Sequence, residues 1–320
     1  MGRPISYLRV SLTQECNLRC GYCYGSGVAR RDSDHQLSLS DTLRLIRAFA
    51  SLGITKVRFT GGEPLLRQGI VDFVRRTSSL NNISLIGLTT NGLALEPMLG
   101  SLVDAGLNCL NISLDTLNRT VFNNITGVDG FDRVYSAITS AEKSRAFNTV
   151  KINTVVMRGV NDGEIRRFAL WALSRDIDLR FIEFMPTRGS GWGQTLFVGE
   201  DEIRRRINLN LIPQPARGNS HGPATGYGLP GLPGRVSFIS AMSRNFCQQC
   251  NRLRLTSKGV LLGCLFLNKG FDLKPMLASG AGTDEIAAAI SDIVATPGFR
   301  RMPEETSLIR SNPFMRMVGG

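Results

Sequence analysis

The sequence predicts an α/β protein whose larger part is a partial (β/α)6 barrel, followed by a smaller α+β region. Between residue 6 and about residue 186, six short apolar segments that favour β-strands alternate with segments of helical period. After residue 186 the chain becomes rich in glycine and proline. Successive strand–helix units imply a parallel sheet with right-handed crossovers, which places a functional site at the carboxyl ends of the strands.

The elements of the barrel follow in order along the chain. The predicted strands are Leu8–Leu12, Val57–Thr60, Ile83–Leu88, Cys109–Leu114, Val150–Val156 and Leu179–Met185. The predicted helices are Asp41–Leu52, Ile70–Ser78, Pro97–Ala105, Phe131–Arg145 and Glu164–Leu173. In the first helix Leu43, Ile46 and Ala50 share one face, Ser40 is the expected cap and Gly53 ends the helix.

The region after the barrel is less regular. Residues 186–234 are interrupted by a charged helix around Asp201–Ile207, and a helix is predicted at Thr283–Val294. Short strands are predicted at Val236–Ser240, Leu253–Thr256 and Val260–Cys264, and the last two are joined by a hairpin signal at residues 257–259. We therefore divide the chain into a barrel domain, residues 1–186, and a region that closes the barrel, residues 187–320.

The composition is that of a globular protein with a hydrophobic core. The 320 residues have a mass of 35.0 kDa, and 42% are hydrophobic and 20% charged. No apolar run reaches the roughly 18 residues of a membrane span, and Ser11, Thr13, Gln14 and Glu15 are polar where a signal peptide would be apolar. We therefore expect a cytoplasmic protein and exclude the secreted, membrane-spanning and disordered classes.

The seven cysteines fall into two groups of three and one spare residue. Cys16, Cys20 and Cys23 form a C-x3-C-x2-C run, and the second group is Cys247, Cys250 and Cys264. An odd number of cysteines without an export signal argues against disulfides. The spare Cys109 begins an apolar strand and is expected to be a small buried hydrophobic residue.

Metal ligation is the favoured use of both cysteine groups. A structural zinc site needs four ligands, whereas each group offers three, and the chain has only two histidines, neither inside a group. Iron–sulfur clusters are also held by thiolates. A cubane cluster with three cysteine ligands leaves one iron open, which suits a catalytic cluster better than one that only transfers electrons.

Two motifs together carry a family resemblance. The cysteine run has Tyr22 before its third cysteine, and Thr60-Gly61-Gly62-Glu63-Pro64 ends the second predicted strand. This pair resembles the radical S-adenosylmethionine (SAM) superfamily, and the similarity narrows to its GTP 3′,8-cyclase family. The narrower match covers most of the chain and rests on residues 8–13, 56–64, 150–153, 179–186, 247–264 and 319–320. Gln14-Glu15 and Tyr24 depart from the family pattern.

The resemblance implies SAM and two [4Fe–4S] clusters as cofactors. The first cluster would be held by Cys16, Cys20 and Cys23, with SAM on its open iron, and the second by Cys247, Cys250 and Cys264, with the guanine base on its open iron. The positions implied to contact SAM are Tyr22, Gly61, Gly62, Glu63, Ser113 and Met185. At the two glycines a backbone can approach a ligand closely, because there is no Cβ.

The implied reaction converts GTP to (8S)-3′,8-cyclo-7,8-dihydroguanosine 5′-triphosphate through a 5′-deoxyadenosyl radical, the first step of molybdopterin biosynthesis. The positions implied to bind GTP are Arg9, Lys56, Arg58, Thr89, Lys151, Arg180, Arg252, Leu253 and Arg254. Those implied to be catalytic are Arg9, Arg254 and the terminal Gly319 and Gly320. A triphosphate needs several cations, and residues spaced by two along a strand, as in Arg252 and Arg254, share a face.

The resemblance also implies partners: a reductant such as flavodoxin or ferredoxin, and a cyclic pyranopterin monophosphate synthase as consumer of the product. We expect no membrane and no nucleic acid, and a monomer or homodimer. Two alternatives remain open on the residues alone. One is a radical SAM maturase that modifies peptides and carries an auxiliary cluster. The other is a zinc protein that binds nucleic acid, which the net charge of +12 and the C-x2-C pair favour.

Overall fold

The computed structural model describes residues 5–23, 35–185, 194–215, 224–244, 250–266 and 270–299. Its strands are β1 (Tyr7–Ser11), β2 (Lys56–Thr60), β3 (Leu85–Thr90), β4 (Cys109–Ser113), β5 (Val150–Val156), β6 (Ile177–Glu183), β7 (Ile212–Gln214), β8 (Thr225–Gly228), β9 (Arg235–Ile239), β10 (Arg252–Leu255), β11 (Val260–Leu262) and β12 (Phe271–Asp272). Its helices are α1 (Leu39–Ser51), α2 (Ile70–Ser78), α3 (Leu99–Asp104), α4 (Arg119–Thr126), α5 (Phe131–Lys143), α6 (Ile165–Leu173), α7 (Glu200–Ile207), α8 (Lys274–Ala278) and α9 (Thr283–Ala295).

One sheet runs through the whole described structure. Eight of its strands are parallel, in the order β10-β1-β2-β3-β4-β5-β6-β9, and antiparallel strands extend both ends. The six-unit parallel barrel is therefore confirmed, but the sheet is larger than predicted. Strands β9 and β10 from the later region join its two edges, and within the described residues the outermost strands, β7 and β12, do not pair with each other. The barrel is open.

The two faces of the sheet differ in polarity. Leu8 and Val10 of β1 are fully buried and share one apolar cluster with Phe49 of α1 and Phe73 of α2. Helices therefore cover the outer face, as the right-handed crossovers require. Side chains of alternate residues point to the opposite, inner face, because successive residues in a strand alternate between faces.

The inner face is built from residues held in register. Arg9 of β1 pairs with Arg254 of β10 and with Arg58 of β2. Arg58 pairs in turn with Gly87 of β3, and Gly87 with Cys109 of β4. Since paired residues on parallel strands point the same way, this row of five residues lines the inside of the barrel.

Two local predictions need correction. Helix α1 is capped by Ser38, not Ser40: the Ser38 hydroxyl accepts a hydrogen bond from the backbone N–H of Asp41 at 2.9 Å. Helix α4 was not predicted. Its cap is Asn118, whose side-chain oxygen accepts from the backbone N–H groups of Thr120 and Val121.

Among the described helices, none is both long enough and apolar enough to cross a membrane.

Candidate active site

The first cysteine group lies on the loop that follows β1. Cys16, Cys20 and Cys23 are partly buried. Burial raises the pKa of Cys16 and, together with the neighbouring Cys23, raises the pKa of Cys20 well above its usual value. The backbone N–H of Arg19 donates to the carbonyl of Thr126 at 2.8 Å, so the end of α4 supports this loop.

Tyr22 is fixed by a residue that the sequence did not single out. Its hydroxyl donates to Asp115 Oδ2 at 2.8 Å, and Asp115 Oδ1 accepts from the backbone N–H of Val155 at 2.9 Å. Burial raises the pKa of Asp115 to about 6 despite these hydrogen bonds. Asp115 lies two residues beyond Ser113, at the carboxyl end of β4, and this position is the signal that could have identified it.

The two glycines of the second motif have a packing role that the sequence did not predict. The backbone N–H of Gly62 donates to the carbonyl of Thr13 at 2.7 Å. A Cβ on Gly61 would lie 2.5 Å from that carbonyl oxygen, and one on Gly62 would lie 2.1 Å from the carbonyl oxygen of Glu15. The glycines therefore let the end of β2 pack directly on the segment that leads to the cysteine loop. Gln14 and Glu15, which depart from the family pattern, contact the glycines through backbone atoms only. Their side chains therefore do not alter this packing.

Glu63 does not offer its side chain to a ligand. It is fully buried; Oε1 accepts from the backbone N–H of Leu65 and the hydroxyl of Thr90, and Oε2 accepts from the backbone N–H of Asn91. The amide nitrogen of Asn91 lies 3.6 Å from Cys16 Sγ. Burial raises the pKa of Glu63 to about 7. Glu63 thus ties together the turns after β2 and β3, and through Asn91 it supports the first cysteine.

The structure brings the predicted cations together on the inner face. Lys56, Arg58, Lys151 and Arg254 are each less than 8% exposed, and Arg9 is partly buried. Burial and neighbouring cations lower the pKa of Arg9 to about 10 and of Lys151 to about 8, and they lower that of Arg254 well below its usual value. Crowded, desolvated positive charges of this kind fit a polyanionic ligand.

Two predicted GTP positions differ from the others. Arg180 forms an ion pair with Asp178 of its own strand, with Nη2 and Oδ2 2.9 Å apart, so part of its charge is already balanced. Asp178 also accepts a hydrogen bond from Ser237 of β9. The side chain of Leu253 points into the outer apolar core, so only its backbone could contact a ligand.

Arg252 is partly buried on β10, where it pairs with Tyr7.

Cys109 is not in the apolar core, and that expectation was wrong. It follows Gly87 in the inner-face row and is partly buried. Burial opposes ionisation of its thiol, but four surrounding cations lower its pKa. These cations are Arg58, Lys151, Lys56 and Arg180.

On the three central strands β3, β4 and β5, three buried polar atoms have no hydrogen-bond partner within the described residues. They are Thr89 Oγ1, Asn111 Oδ1 and Asn153 Oδ1 on β3, β4 and β5. Asn153 pairs in register with Ser113, the last residue of β4. Because an unpaired buried acceptor is costly, these atoms fit a polar ligand inside the barrel.

The second cysteine group is described in part. Cys250 and Cys264 are partly buried, whereas Cys247 lies outside the described residues, as do Tyr24, Gly319 and Gly320. Burial raises the pKa of Cys264, and the nearby Cys250 raises it further.

Met185, the predicted SAM contact after β6, packs in the same small cluster as Cys264, together with Ala241 and Phe266. Within the described ranges, no three Cys, His, Asp or Glu side chains converge on one metal-ion position. A cubane binds each thiolate on a different iron, so its ligands stand further apart than those of a single ion.

Comparison with known proteins shows which family the chain belongs to. The Radical SAM superfamily model matches residues 10–172, and the Molybdenum Cofactor Synthesis C model matches residues 177–297. The GTP 3′,8-cyclase of Thermodesulfovibrio yellowstonii is 42% identical over 322 residues, which cover 99% of this chain and 98% of that protein. The chain belongs to the GTP 3′,8-cyclase family. The cyclase of Geobacter sulfurreducens is 44% identical over 86% of this chain and 85% of its own length.

Relatives of this GTP 3′,8-cyclase family member also occur in animals. Human molybdenum cofactor biosynthesis protein 1 is 40% identical over 92% of this chain, which covers 46% of that longer protein. Among solved structures, SuiB of Streptococcus suis bound to S-adenosylmethionine superposes with a TM-score of 0.64 at 16% identity, over 99% of this chain and 72% of SuiB. That likeness supports the barrel fold alone.

Membership of the radical SAM superfamily implies SAM and a [4Fe–4S] cluster as cofactors. The residues present fit both. Three cysteine thiols lie on one loop at the carboxyl ends of the strands, and the unpartnered polar atoms of Thr89, Asn111 and Asn153 are available to a polar ligand inside the barrel.

Proposed function

We propose that this chain is a radical SAM GTP 3′,8-cyclase that converts GTP to (8S)-3′,8-cyclo-7,8-dihydroguanosine 5′-triphosphate in molybdenum cofactor biosynthesis. The observation that carries the proposal is the buried row of cations on the inner face, where Arg254, Arg9 and Arg58 stand in register on three neighbouring strands. The relatives named GTP 3′,8-cyclase, at 42% and 44% identity, support it.

At the SAM end, Cys16, Cys20 and Cys23 would hold the [4Fe–4S] cluster. When bound, the cluster and SAM would supply the radical chemistry needed to remove a hydrogen atom from ribose C3′ of GTP. The chain's own part is to hold the loop: Glu63 fixes Asn91 beside Cys16, and Asp115 fixes Tyr22. Gly61, Gly62, Ser113 and Met185 complete the proposed SAM contacts.

At the substrate end, the inner-face cations would bind the triphosphate. Arg9, Lys56, Arg58, Lys151, Arg252 and Arg254 supply positive charge, Thr89 supplies an unpartnered hydroxyl, and Leu253 could contribute backbone groups. Arg180 would bind phosphate while remaining paired with Asp178. Burial excludes water from these side chains and so strengthens their attraction for phosphate.

The remaining parts of the proposal concern the C-terminal region. Cys247, Cys250 and Cys264 would hold a second [4Fe–4S] cluster that binds the guanine base, and the Gly319-Gly320 tail would enter the active site. We retain the division of the chain after residue 186, with the later part closing the barrel.

The setting of the enzyme is also part of the proposal. A flavodoxin or ferredoxin would supply the electron, and a cyclic pyranopterin monophosphate synthase would take the product. We place the protein in the cytoplasm, as a monomer or homodimer.

The test uses anaerobically purified protein. We expect about eight irons per chain, from two four-iron clusters. With GTP deuterated at ribose C3′, the 5′-deoxyadenosine that forms should carry the deuterium. SAM cleavage that no addition of GTP stimulates would contradict the cyclase and leave the peptide-modifying interpretation. Colourless protein that contains zinc would contradict both.

A variant separates substrate binding from the cofactors. Arg254→Ala should abolish GTP turnover and retain both clusters and the uncoupled cleavage of SAM, because the guanidinium lies on the inner face beside Arg9. The control is Arg76→Ala, which removes an exposed arginine of α2. Loss of iron in Arg254→Ala would show instead that the arginine is structural.

A further inference from the structure

Tyr7 lies among the inner-face cations and has no role in the function proposed above. It is the first residue of β1, two positions before Arg9, and its side chain is 6% exposed. In register it stands between Arg252 of β10 and Lys56 of β2. A buried phenol thus occupies the centre of the cation cluster.

The hydroxyl of Tyr7 holds Arg58 in one orientation. Arg58 Nε donates to Tyr7 Oη at 2.9 Å, and Arg58 Nη1 donates to the carbonyl of Leu88 at 2.9 Å. These two contacts fix the plane of the guanidinium. In the described part of the chain, Nη2 of Arg58 has no hydrogen-bond partner, so this nitrogen is available to a ligand inside the barrel.

The ring of Tyr7 holds a second cation. Lys56 Nζ lies 4.8 Å from the ring centroid, within the range of a cation–π interaction. Arginine and lysine side chains otherwise lose much rotamer freedom when they order around a ligand. Cations that are already oriented avoid that loss when phosphate binds.

We propose that Tyr7 is a positioning residue for the triphosphate of GTP: its hydroxyl orients Arg58 and its ring orients Lys56, so both cations meet the phosphates in place. This inference rests on the proposed function, since it assumes that GTP occupies the inner face.

The surrounding charges add a pH signature. Tyr7 faces Lys56 and Arg58 from β2, Arg9 from its own strand, and Arg252 and Arg254 from β10. Burial opposes ionisation, but the cations together lower the pKa of Tyr7 to about 7. Above that pH the phenolate neutralises the cations that phosphate needs. Below it the neutral hydroxyl only orients Arg58.

The experiment compares Tyr7→Phe with wild type in the anaerobically reconstituted holoenzyme, by equilibrium dialysis with GTP and with guanosine. At pH 6.5 we expect Tyr7→Phe to weaken GTP binding about tenfold, the effect of losing one hydrogen bond to a charged group. Guanosine binding should not change, because guanosine has no phosphate. The ratio of the two GTP dissociation constants should fall towards one by about pH 8.5, since the wild type then carries the competing phenolate.

Two further proteins complete the test. Tyr135→Phe removes a hydroxyl from the outer helix α5, where it accepts from Trp171 and Arg175, and it should bind GTP like the wild type. A protein with a tyrosine fluorinated next to the hydroxyl at position 7 keeps both contacts and the native fold. Its phenol is more acidic, so its GTP affinity should begin to fall at a lower pH than that of the wild type.

The results distinguish a failure of the positioning role of Tyr7 from a failure of the proposed function. If the wild type binds GTP and Tyr7→Phe binds it equally well, or loses GTP and guanosine alike, the positioning role of Tyr7 is wrong. An unchanged pH profile in the fluorinated protein would contradict it as well. If the wild-type holoenzyme does not bind GTP, the proposed function itself fails.

Discussion

The guanidinium of Arg58 lies across Gly87 on the neighbouring strand. A Cβ at residue 87 would stand 2.7 Å from Arg58 Cζ and 2.8 Å from Nη2. The guanidinium cannot simply move away, because Tyr7 and Leu88 both hold it. Gly87 is therefore the residue of β3 that makes room for a cation inside the barrel.

Gly87→Ala should therefore displace Arg58 and weaken GTP binding about tenfold. Overpacking at a buried position also costs about 1–3 kcal/mol of stability. The matched control is Gly100→Ala in α3, where an added Cβ meets nothing within 4 Å and should stabilise the helix slightly. Calorimetric titration with GTP checks both variants. Unaltered GTP affinity in Gly87→Ala would contradict the fixed position of Arg58.

Gly62→Ala should prevent assembly of the first cluster. Its Cβ would meet the carbonyl oxygen of Glu15 at 2.1 Å, a backbone atom next to Cys16 that cannot move without displacing the cysteine loop. We expect the iron content to fall by about half, since Cys264 of the second group packs in a different cluster from Cys16 and Cys20. Gly163→Ala, where the added Cβ has open space, is the control. Full iron content in Gly62→Ala would show that the loop can adjust.

Tyr22→Phe should loosen the cysteine loop without unfolding the barrel. The change leaves Asp115 Oδ2 without its partner, at a cost of about 1–3 kcal/mol. We expect a higher KM for SAM and a changed electron paramagnetic resonance spectrum of the reduced cluster with SAM. The control is Tyr135→Phe on the outer helix α5, which also removes a partly buried, hydrogen-bonded hydroxyl. This variant should leave both readouts unchanged. Equal effects of the two variants would mean that Tyr22 only stabilises the fold.

Asp178→Asn tests the buried ion pair inside the barrel by its pH dependence. Arg180 and Ser237 lower the pKa of Asp178 below its usual value, although burial opposes them. A carboxyl with a lowered pKa contributes stability above its unfolded value of about 4 and loses it as the pH falls through the folded pKa. The variant should therefore be less stable than wild type by on the order of 3 kcal/mol near pH 7. The difference should shrink below about pH 4.

The control for this pair is Asp72→Asn on the surface. Asp72 faces Arg75 at 3.8 Å with both side chains more than half exposed, and the change should alter stability by less than about 0.5 kcal/mol. Urea unfolding at several pH values provides the measurement. A difference between Asp178→Asn and wild type that persists at low pH would assign the effect to packing instead of charge.

Local patterns in the sequence determined the elements and much of the site. The period of the apolar residues predicted the six barrel strands and most helices, because this signal depends on residues close in the chain. The cysteine spacing and the cations at alternate positions of β2 and β10 were also readable, since alternation in a strand fixes a common face. In the structure Lys56 and Arg58 share the inner face, as do Arg252 and Arg254, in agreement with that prediction.

Only the tertiary structure decided which distant groups meet. The partners of Glu63 in the turn after β3, the pairing of Tyr22 with Asp115, and the placement of Cys109 among cations all depend on contacts between separate strands. So does the joining of β10 to β1, which brings Arg254 beside Arg9. Sequence periodicity shows which face a residue takes, but it carries no information about which strand lies next to it. The neighbours of a buried polar group are set by sheet order and register, and these follow from packing of the whole chain.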